Sequence, residues 1–591
     1  MQKGQLMKDK MVSRLLFRLL PMQVFLALVG TLNSIISGLF ASNYIGSDAM
    51  TAVGLYNPIN MFIFAVSTML VGGATIMCGK YMGRSEQDKV QNVFTVGNLL
   101  ALIVAVIVVT FLLVMGLLDQ SSLFARDASI RPVFNTYIIG QAVGVLPLLL
   151  GNLSASFLSI ENKAGLTTVA SIVYIAVNVV LNFIFVAALH MGPLGLALSS
   201  SLGMWVFFAV QAWYFLTPSS PLRLFSAHPV WSESLQIIRI GIPGAASYGY
   251  QALRGFIVNY LLDVYVGPKG ISAMTASDNL LRIGWALPTG MLAVSRMVMS
   301  ISIGEEDRQT LTDVMRNMFK RFVPLMTAID IIIICLAKPL TCLYFRDASD
   351  PVFVMTVWGF RLLPLSMPTA IIFLHFVCYG QSSGKQIFVN ILSALDGVIC
   401  VAGFTWMLIP RIGMNSVYIA NVLNGVVTVV VPVMYAAAKK RGIPKNMAEL
   451  MVIPDGFGVS EDERIDVAVK GKEDVVSVAE RVQQFCKDRG IDSRRSYYAA
   501  LFLEEMAGNI VTHGFSKDKK KHSVDIRVVH KDDDVILRIK DDCRPFDPST
   551  RSGITDPDDI TKNIGIRMVY KLANDIEYKN MLGLNVLTAR I

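Results

Sequence analysis

The chain has 591 residues, 53% of them hydrophobic and only 16% charged. A soluble chain carries about 25% charge, so a single aqueous globule is excluded. The charge is also segregated: the first 446 residues hold 30 basic and 18 acidic side chains, and residues 447–591 hold 23 and 26. A lipid-compatible body is therefore followed by a water-soluble tail. The net charge of +9 does not indicate a nucleic-acid partner, because the excess base flanks apolar segments and forms no stripe with interleaved aromatics. The seven cysteines show no CxxC spacing and mostly lie inside apolar runs, so they read as free thiols rather than a zinc or disulfide framework. The basic start, MQKGQLMKDKMVSRLLFRLL, leads into a stretch long enough to cross a bilayer and has no A-x-A cleavage pattern. It reads as a first span, not a removed signal.

A helix needs about 20 apolar residues to cross the hydrocarbon core. Twelve such stretches follow in order, near 15–40, 53–79, 93–118, 134–158, 166–189 and 194–216, then 236–264, 275–303, 320–342, 354–379, 386–409 and 414–437. Lys80, Arg84 and Lys89, then Arg308, Arg316, Lys320 and Arg321, then Lys439, Lys440, Arg441 and Lys445 cluster in alternate loops. The positive-inside rule puts those loops, both termini and the tail in the cytoplasm of a cell membrane. An internal repeat of about 220 residues supports the count. LFARDASIRPVF at 123–134 recurs as LYFRDASDPVF at 343–353, Gly83 matches Gly304, and MGPLG at 191–195 has a counterpart at 412–416. Six spans per unit is an even number, so the halves share one orientation. The expected fold is an all-α polytopic membrane bundle of two six-helix parallel repeats, residues 1–216 and 217–440, with a cavity between them.

Several segments carry a family resemblance: LP at 20–21, SGLFASNYIGSDAMTAVGLYNP at 37–58, KYMGRSEQD at 80–88, VNVVLNFIFV at 177–186 and GPLGLALSSSLG at 192–203. Over about residues 10–440 the chain resembles the multidrug and toxic compound extrusion (MATE) family. The resemblance implies export of small organic compounds, usually cations, in exchange for Na⁺ or H⁺. Many relatives place an Asp where this chain has Ser37, a second where it has Asn182, one helical turn after Asn178, and one branch a Glu near Gln251. Each replacement keeps hydrogen bonding and removes a titratable charge. An amide oxygen can ligate Na⁺ but cannot carry a proton.

Ions in hydrocarbon are costly, which makes those that remain functional candidates. Asp278 and Arg282 stand at i,i+4 and are placed to pair on one helix face. Asp330 lies in TAIDIIII and Asp396 in SALDGVIC, while Arg254, Arg296 and Arg361 add cations to the second half.

After a linker at 441–460 the pattern changes. RIDVAVKG reads as a strand, KEDVVSVAERVQQFCKDRG as a helix, and SRRSYYAALFLEEMAGNIVTHGF as a second helix reaching about residue 513. A hairpin follows around KDDD, then an Asp/Pro/Gly loop to about 562, a helix NIGIRMVYKLAND and a strand pair IEYKN/LNVLTARI. This is α+β, with the helices on one face of a sheet. Glu505, Asn509 and His513 are four residues apart and fall on one helix face. Asp541 ends a strand, and Gly565 opens a helix whose N-terminal amides can receive phosphate.

In this order FLEEMAGNIVTHGF, DDCRPFDP and IGIRMVYKLANDIEY resemble the boxes of the histidine-kinase-like ATPase superfamily, closest to the anti-sigma-factor serine kinases, over about residues 460–591. The resemblance implies a sandwich of the histidine-kinase/HSP90-like type binding ATP and Mg²⁺. Glu505 would be the catalytic base, Asn509 the Mg²⁺ ligand, Asp541 the adenine reader and Gly565 part of the phosphate lid. Cys543 and Lys562–Asn563 stand where the family has glycines, which crowds the approach to nucleotide. The sequence therefore reads as a MATE-like antiporter in the lipid bilayer with an ATP-binding regulatory or serine-kinase-like domain. The alternative is a transport-derived receptor signalling through that domain to an anti-anti-sigma-like regulator. There is no GxxxxGK[ST] motif, which disfavours a primary ATP-driven pump.

Overall fold

The structure is a computed structural model that describes all residues except 1, 46, 85, 124–129, 219, 224–228, 344, 346–347, 460–461, 516–521, 532 and 553–563. The repeated RDAS segments fall largely in these gaps, as do Lys562 and Asn563, and so lie outside the described residues. The twelve predicted spans all fall on long helices. In the first half these are α1 Gln2–Phe40, α2 Ser47–Gly83, α3 Gln87–Leu117, α4 Arg131–Ile160, α5 Ala164–Ala188 and α6 Gly192–Leu216. In the second they are α7 Ser232–Tyr265, α8 Pro268–Gly304, α9 (Arg308–Asn317 continuing through Met318–Phe322 into Val323–Cys335), α10 Pro351–Ser382, α11 Gln386–Ile412 and α12 Asn415–Lys440. Ten of these contain stretches long and apolar enough to span a bilayer. The other two, α7 and α9, carry charges such as Arg239, Arg254, Lys320 and Arg321 along their length. The chain is a multi-pass membrane protein.

The two halves meet through glycine. Without a hydrophobic drive between helices in lipid, close backbone approach at small residues supplies the packing. A β-carbon on Gly304 of α8 would stand 2.1 Å from the Lys80 carbonyl oxygen of α2, and one on Gly83 would stand 2.3 Å from that of Ile301. The two repeat-matched glycines thus seal one end of the bundle against each other's helices. Further along, Gly73 lies against Ile237 and Gly241 against Met69, with no room for a side chain at either.

The tail folds as one antiparallel sheet of order β1-β2-β3-β5-β4, formed by β1 Arg464–Val469, β2 Val524–Lys531, β3 Asp534–Asp541, β4 Asp575–Met581 and β5 Leu584–Arg590. A short linker helix, α13 Met447–Leu450, precedes it. Helices α14 Lys472–Asp488, α15 Ser493–Asn509 and α16 Ile564–Leu572 cover one face. Alternation along each strand sends Val524, Ile526, Val528, Leu537, Ile539, Leu587 and Ala589 to that side, where they form a core with Val482, Leu503 and Val569. Met581, Leu582 and Val586 instead join the hydrophobic core of the membrane bundle. The sheet is consequently shared between two cores.

The other face of the sheet is polar and rests on the end of the bundle that the glycines seal. The α8–α9 turn presents Glu305, Glu306 and Asp307. Lys540 reaches Glu305 at 2.6 Å with Arg538 at 3.6 Å, Lys531 reaches Glu306 at 2.8 Å, and Arg527 reaches Asp307 at 2.8 Å. Burial works against the Arg527 charge, but Asp307, Asp466 and Glu305 outweigh it and hold the guanidinium above the ordinary arginine range. The linker is fastened as well: Lys385 Nζ donates to the carbonyls of Met451 and Val452 at 2.9 and 2.7 Å, and Lys440 pairs with Asp455 at 3.1 Å.

Candidate functional site

In the soluble domain α15 and α16 lie side by side over the sheet. They pack tightly at Gly565, where a β-carbon would fall 1.8 Å from Glu505 Oε2. Only glycine leaves that carboxylate undisturbed. Asn509 follows Glu505 by one α-helical turn, and both are partly buried. Residues Ile510–Gly514 then form a π-turn, and His513 within it is exposed.

Asp541, at the end of β3, is 4% exposed. Its Oδ1 accepts from the Cys543 backbone N–H at 2.9 Å and from Asn585 Nδ2 at 2.8 Å. Asn585 faces it in the β3–β5 register and is itself oriented by the Tyr578 hydroxyl and the Asn580 amide, both at 2.8 Å. Burial, ahead of these hydrogen bonds, raises the Asp541 carboxyl from its ordinary value. Cys543 packs against Gly514, where a β-carbon would approach its Sγ to 2.9 Å. Glu505 thus meets Gly565 across the two helices, and Asp541 joins through Cys543 to Gly514, in the turn that follows Asn509. Sequence reasoning missed Asn585; the one available signal was a polar residue inside an otherwise apolar final strand.

The donor set fits a nucleotide with a hard cation. A buried carboxylate suits an exocyclic amine, a side-chain amide oxygen suits Mg²⁺, and a helix start at α16 suits phosphate. Next door, His522 Nδ1 lies 3.0 Å from Asp542 Oδ1, and Arg14 of α1 lies 3.3 Å from Asp542 Oδ2. His522, Asp542 and Cys543 approach closely enough to share a metal ion, but Asp542 is already engaged by a guanidinium.

Within the bundle, the first-half candidates form one neutral polar cluster. Asn182 donates to the Asn178 carbonyl at 2.9 Å, Ser199 donates to Asn182 Oδ1 at 2.8 Å, Asn178 donates to Asn33, and Ser37 lies 3.4 Å from Ser200. Asn33, Ser199 and Ser200 were not anticipated. In the second half Asp396 accepts from Asn424 at 2.8 Å. The expected Asp278–Arg282 pair does not close within 4.0 Å. Asp330 is 2% exposed, and neither of its oxygens has a hydrogen-bond partner among the described residues. Gln251 is exposed on α7, apart from these partners.

Glu161, in the turn after α4, has its carboxyl pushed up to about 7, first by burial. The folded state therefore prefers the protonated form. That stabilisation is complete below the unfolded value of 4.5 and is lost as pH rises through about 7. The thermal midpoint of the full chain should fall over this interval, and Glu161→Gln should flatten the fall; parallel wild-type and variant curves would contradict it.

Comparisons with known proteins agree with both halves. Residues 24–184 match the MatE family model, and residues 470–591 match the model of the histidine kinase-like ATPase domain. A probable multidrug resistance protein NorM of Bacillus licheniformis is 24% identical over 313 residues, covering 51% of this chain and 66% of that protein. The multidrug resistance protein NorM of Vibrio parahaemolyticus is 24% identical over 237 residues, covering 38% and 50%. The chain thus matches half to two thirds of the length of these relatives.

Among solved structures, a MATE in the straight conformation superposes with a TM-score of 0.66 at 21% identity, covering 73% of this chain and 97% of that one. A multidrug resistance MATE family transporter in an outward-facing conformation gives 0.65 at 20%, covering 74% and 96%. A transporter of the MOP superfamily from Pyrococcus furiosus, described as having a binding pocket of reversed polarity, gives 0.64 at 20%, covering 72% and 97%.

The helical bundle has the fold of MATE transporters. The chain carries a MATE-family domain joined to a C-terminal histidine-kinase-like ATPase domain.

Proposed function

We propose that the chain exports small organic compounds by Na⁺- or H⁺-coupled antiport, and that its C-terminal domain, on the cytoplasmic side, binds ATP·Mg²⁺ to regulate that transport. The observation that carries the reading is the close contact of Gly565 with Glu505, one turn before Asn509, together with the buried Asp541 at the end of β3, in a domain docked on a MATE-type bundle. Asp541 would read adenine, Asn509 would help hold Mg²⁺, and Glu505 is placed to accept a proton from a hydroxyl, the serine-kinase-like option. When bound, ATP would supply a transferable phosphoryl group. The multidrug resistance names of the relatives support an organic substrate, and the basic loops support the cytoplasmic placement.

For coupling, the uncharged Ser37–Asn178–Asn182–Ser199 region offers amide and hydroxyl oxygens suited to Na⁺ and no group to carry a proton. Asp330 and Asp396 are the acids able to exchange a proton. In proteoliposomes, Asp330→Asn should abolish H⁺-gradient-driven dye efflux if that acid carries the proton, and leave Na⁺-driven efflux intact. Retention of H⁺-driven efflux in both Asp330→Asn and Asp396→Asn would remove these two acids from the coupling path.

The missing first-half acids favour a second reading, a receptor signalling to an anti-anti-sigma-like regulator. Flux equal to that of empty vesicles under either gradient, with ATP-dependent phosphorylation of a serine on such a regulator, would decide for it.

A further inference from the structure

The soluble domain touches both halves of the bundle at once. On the second half it grips the acidic Glu305–Glu306–Asp307 turn with Lys540, Arg538, Lys531 and Arg527. Glu305 is only 2% exposed in its side chain, so this is a desolvated contact rather than a screened surface pair. On the first half, Arg14 binds Asp542 and the Ser523 hydroxyl, Lys579 donates to the Met82 carbonyl, and the Leu582 N–H donates to the Ile160 carbonyl at 3.3 Å. That last contact comes from the β4–β5 turn, where Leu582 and Gly583 hold φ of 54° and 80°, a left-handed geometry that a leucine adopts only under constraint.

These contacts surround the end of the bundle where Gly83 and Gly304 bring α2 and α8 together. A carrier that exposes its cavity to that side must separate α2 from α8, and the halves cannot part while one rigid sheet holds both. The contacts to the first half also adjoin the candidate nucleotide site: Asp542 follows Asp541, and Leu582–Gly583 lies within three residues of Asn585, the partner of Asp541.

We propose that the outer face of the ATPase sheet is an internal docking surface for the two lobes, a clasp that keeps the bundle shut on its own side, and that adenine nucleotide at the adjoining site loosens it. The nucleotide part rests on the ATP-binding reading above; the clasp does not.

The test uses the full chain in lipid nanodiscs with exposed Cys335 and Cys342 replaced by serine. Spin labels at Gln87→Cys and Lys439→Cys, both exposed, report the distance between halves on the domain side. The parent should show one dominant short distance. Glu305→Lys, which faces Lys540 and Arg538 with a like charge, should raise the population of a longer distance at least about tenfold, and adding Lys540→Glu should restore the parent distribution. Restoration excludes misfolding as the cause. ATP·Mg²⁺ should produce the longer distance in the parent and not in Asp541→Asn.

An unchanged distribution in Glu305→Lys overturns the clasp. ATP that binds without shifting the distances overturns the nucleotide coupling. ATP that does not bind in a parallel titration, while Glu305→Lys still opens the bundle, overturns the nucleotide reading and supports the clasp.

Discussion

Asp541→Asn should weaken ATP binding by on the order of 10–100-fold while leaving the free domain as stable as before, or more so. A hydrogen bond to an ionised group contributes about 1.5–3 kcal/mol, and the adenine amine would lose that acceptor. The stability half follows from the sign of the titration. Burial raises the Asp541 carboxyl above its unfolded value, so its favourable contribution is present below the unfolded pKa and is lost as pH rises through the folded one. Once that contribution is lost, the ionised side chain is a cost to the empty fold. The asparagine oxygen can still accept from the Cys543 N–H, so the turn keeps its anchor. Titration calorimetry and a thermal scan on the same preparations read both effects. Equal affinity in wild type and variant would remove Asp541 from the site.

Gly304→Ala should destabilise the closed bundle by about 1–3 kcal/mol or more, the usual cost of overpacking. The new β-carbon would meet the Lys80 oxygen at 2.1 Å, its carbonyl carbon at 2.8 Å and its Cα at 2.9 Å. All three are backbone atoms, so no rotamer change relieves the clash and the two helices must separate. Gly255→Ala is the control: nothing lies within 4 Å of its β-carbon, and helix propensity alone should make it neutral or slightly stabilising. The Gly304 variant should lower the thermal midpoint and lengthen the inter-lobe distance on the domain side. Identical behaviour of the two variants would mean that the α2–α8 contact does not govern closure.

The features legible in the sequence are those set by local pattern. Hydropathy placed all twelve helices, ten of them as apolar runs of membrane length, because hydrocarbon forces backbone groups to pair within their own segment. Alternation placed the strands of the tail, and the fixed spacing of Glu505, Asn509, Asp541 and Gly565 followed from the resemblance to known ATPases. Partner choice was not legible. Asn585 meets Asp541 only because β5 pairs with β3 in one register. Asn33 meets Asn178 only through the packing of α1 on α5.

The π-turn at Ile510–Gly514 leaves no compositional trace. The acidic turn at 305–307 resembled any solvated loop. Its role emerges when the polar side of an alternating sheet supplies four cations opposite three acids. Asp278 and Arg282 show the converse: i,i+4 spacing permits an ion pair, and none closes within 4.0 Å.

Dye efflux from proteoliposomes containing the full chain, driven by an imposed Na⁺ or H⁺ gradient with ATP·Mg²⁺ supplied on the domain side, tests the union of carrier and nucleotide domain most directly. The account predicts gradient-dependent efflux that accelerates with ATP in the wild type and ignores it in Asp541→Asn. Efflux indistinguishable from protein-free vesicles, or efflux with the same ATP response in both proteins, would contradict it.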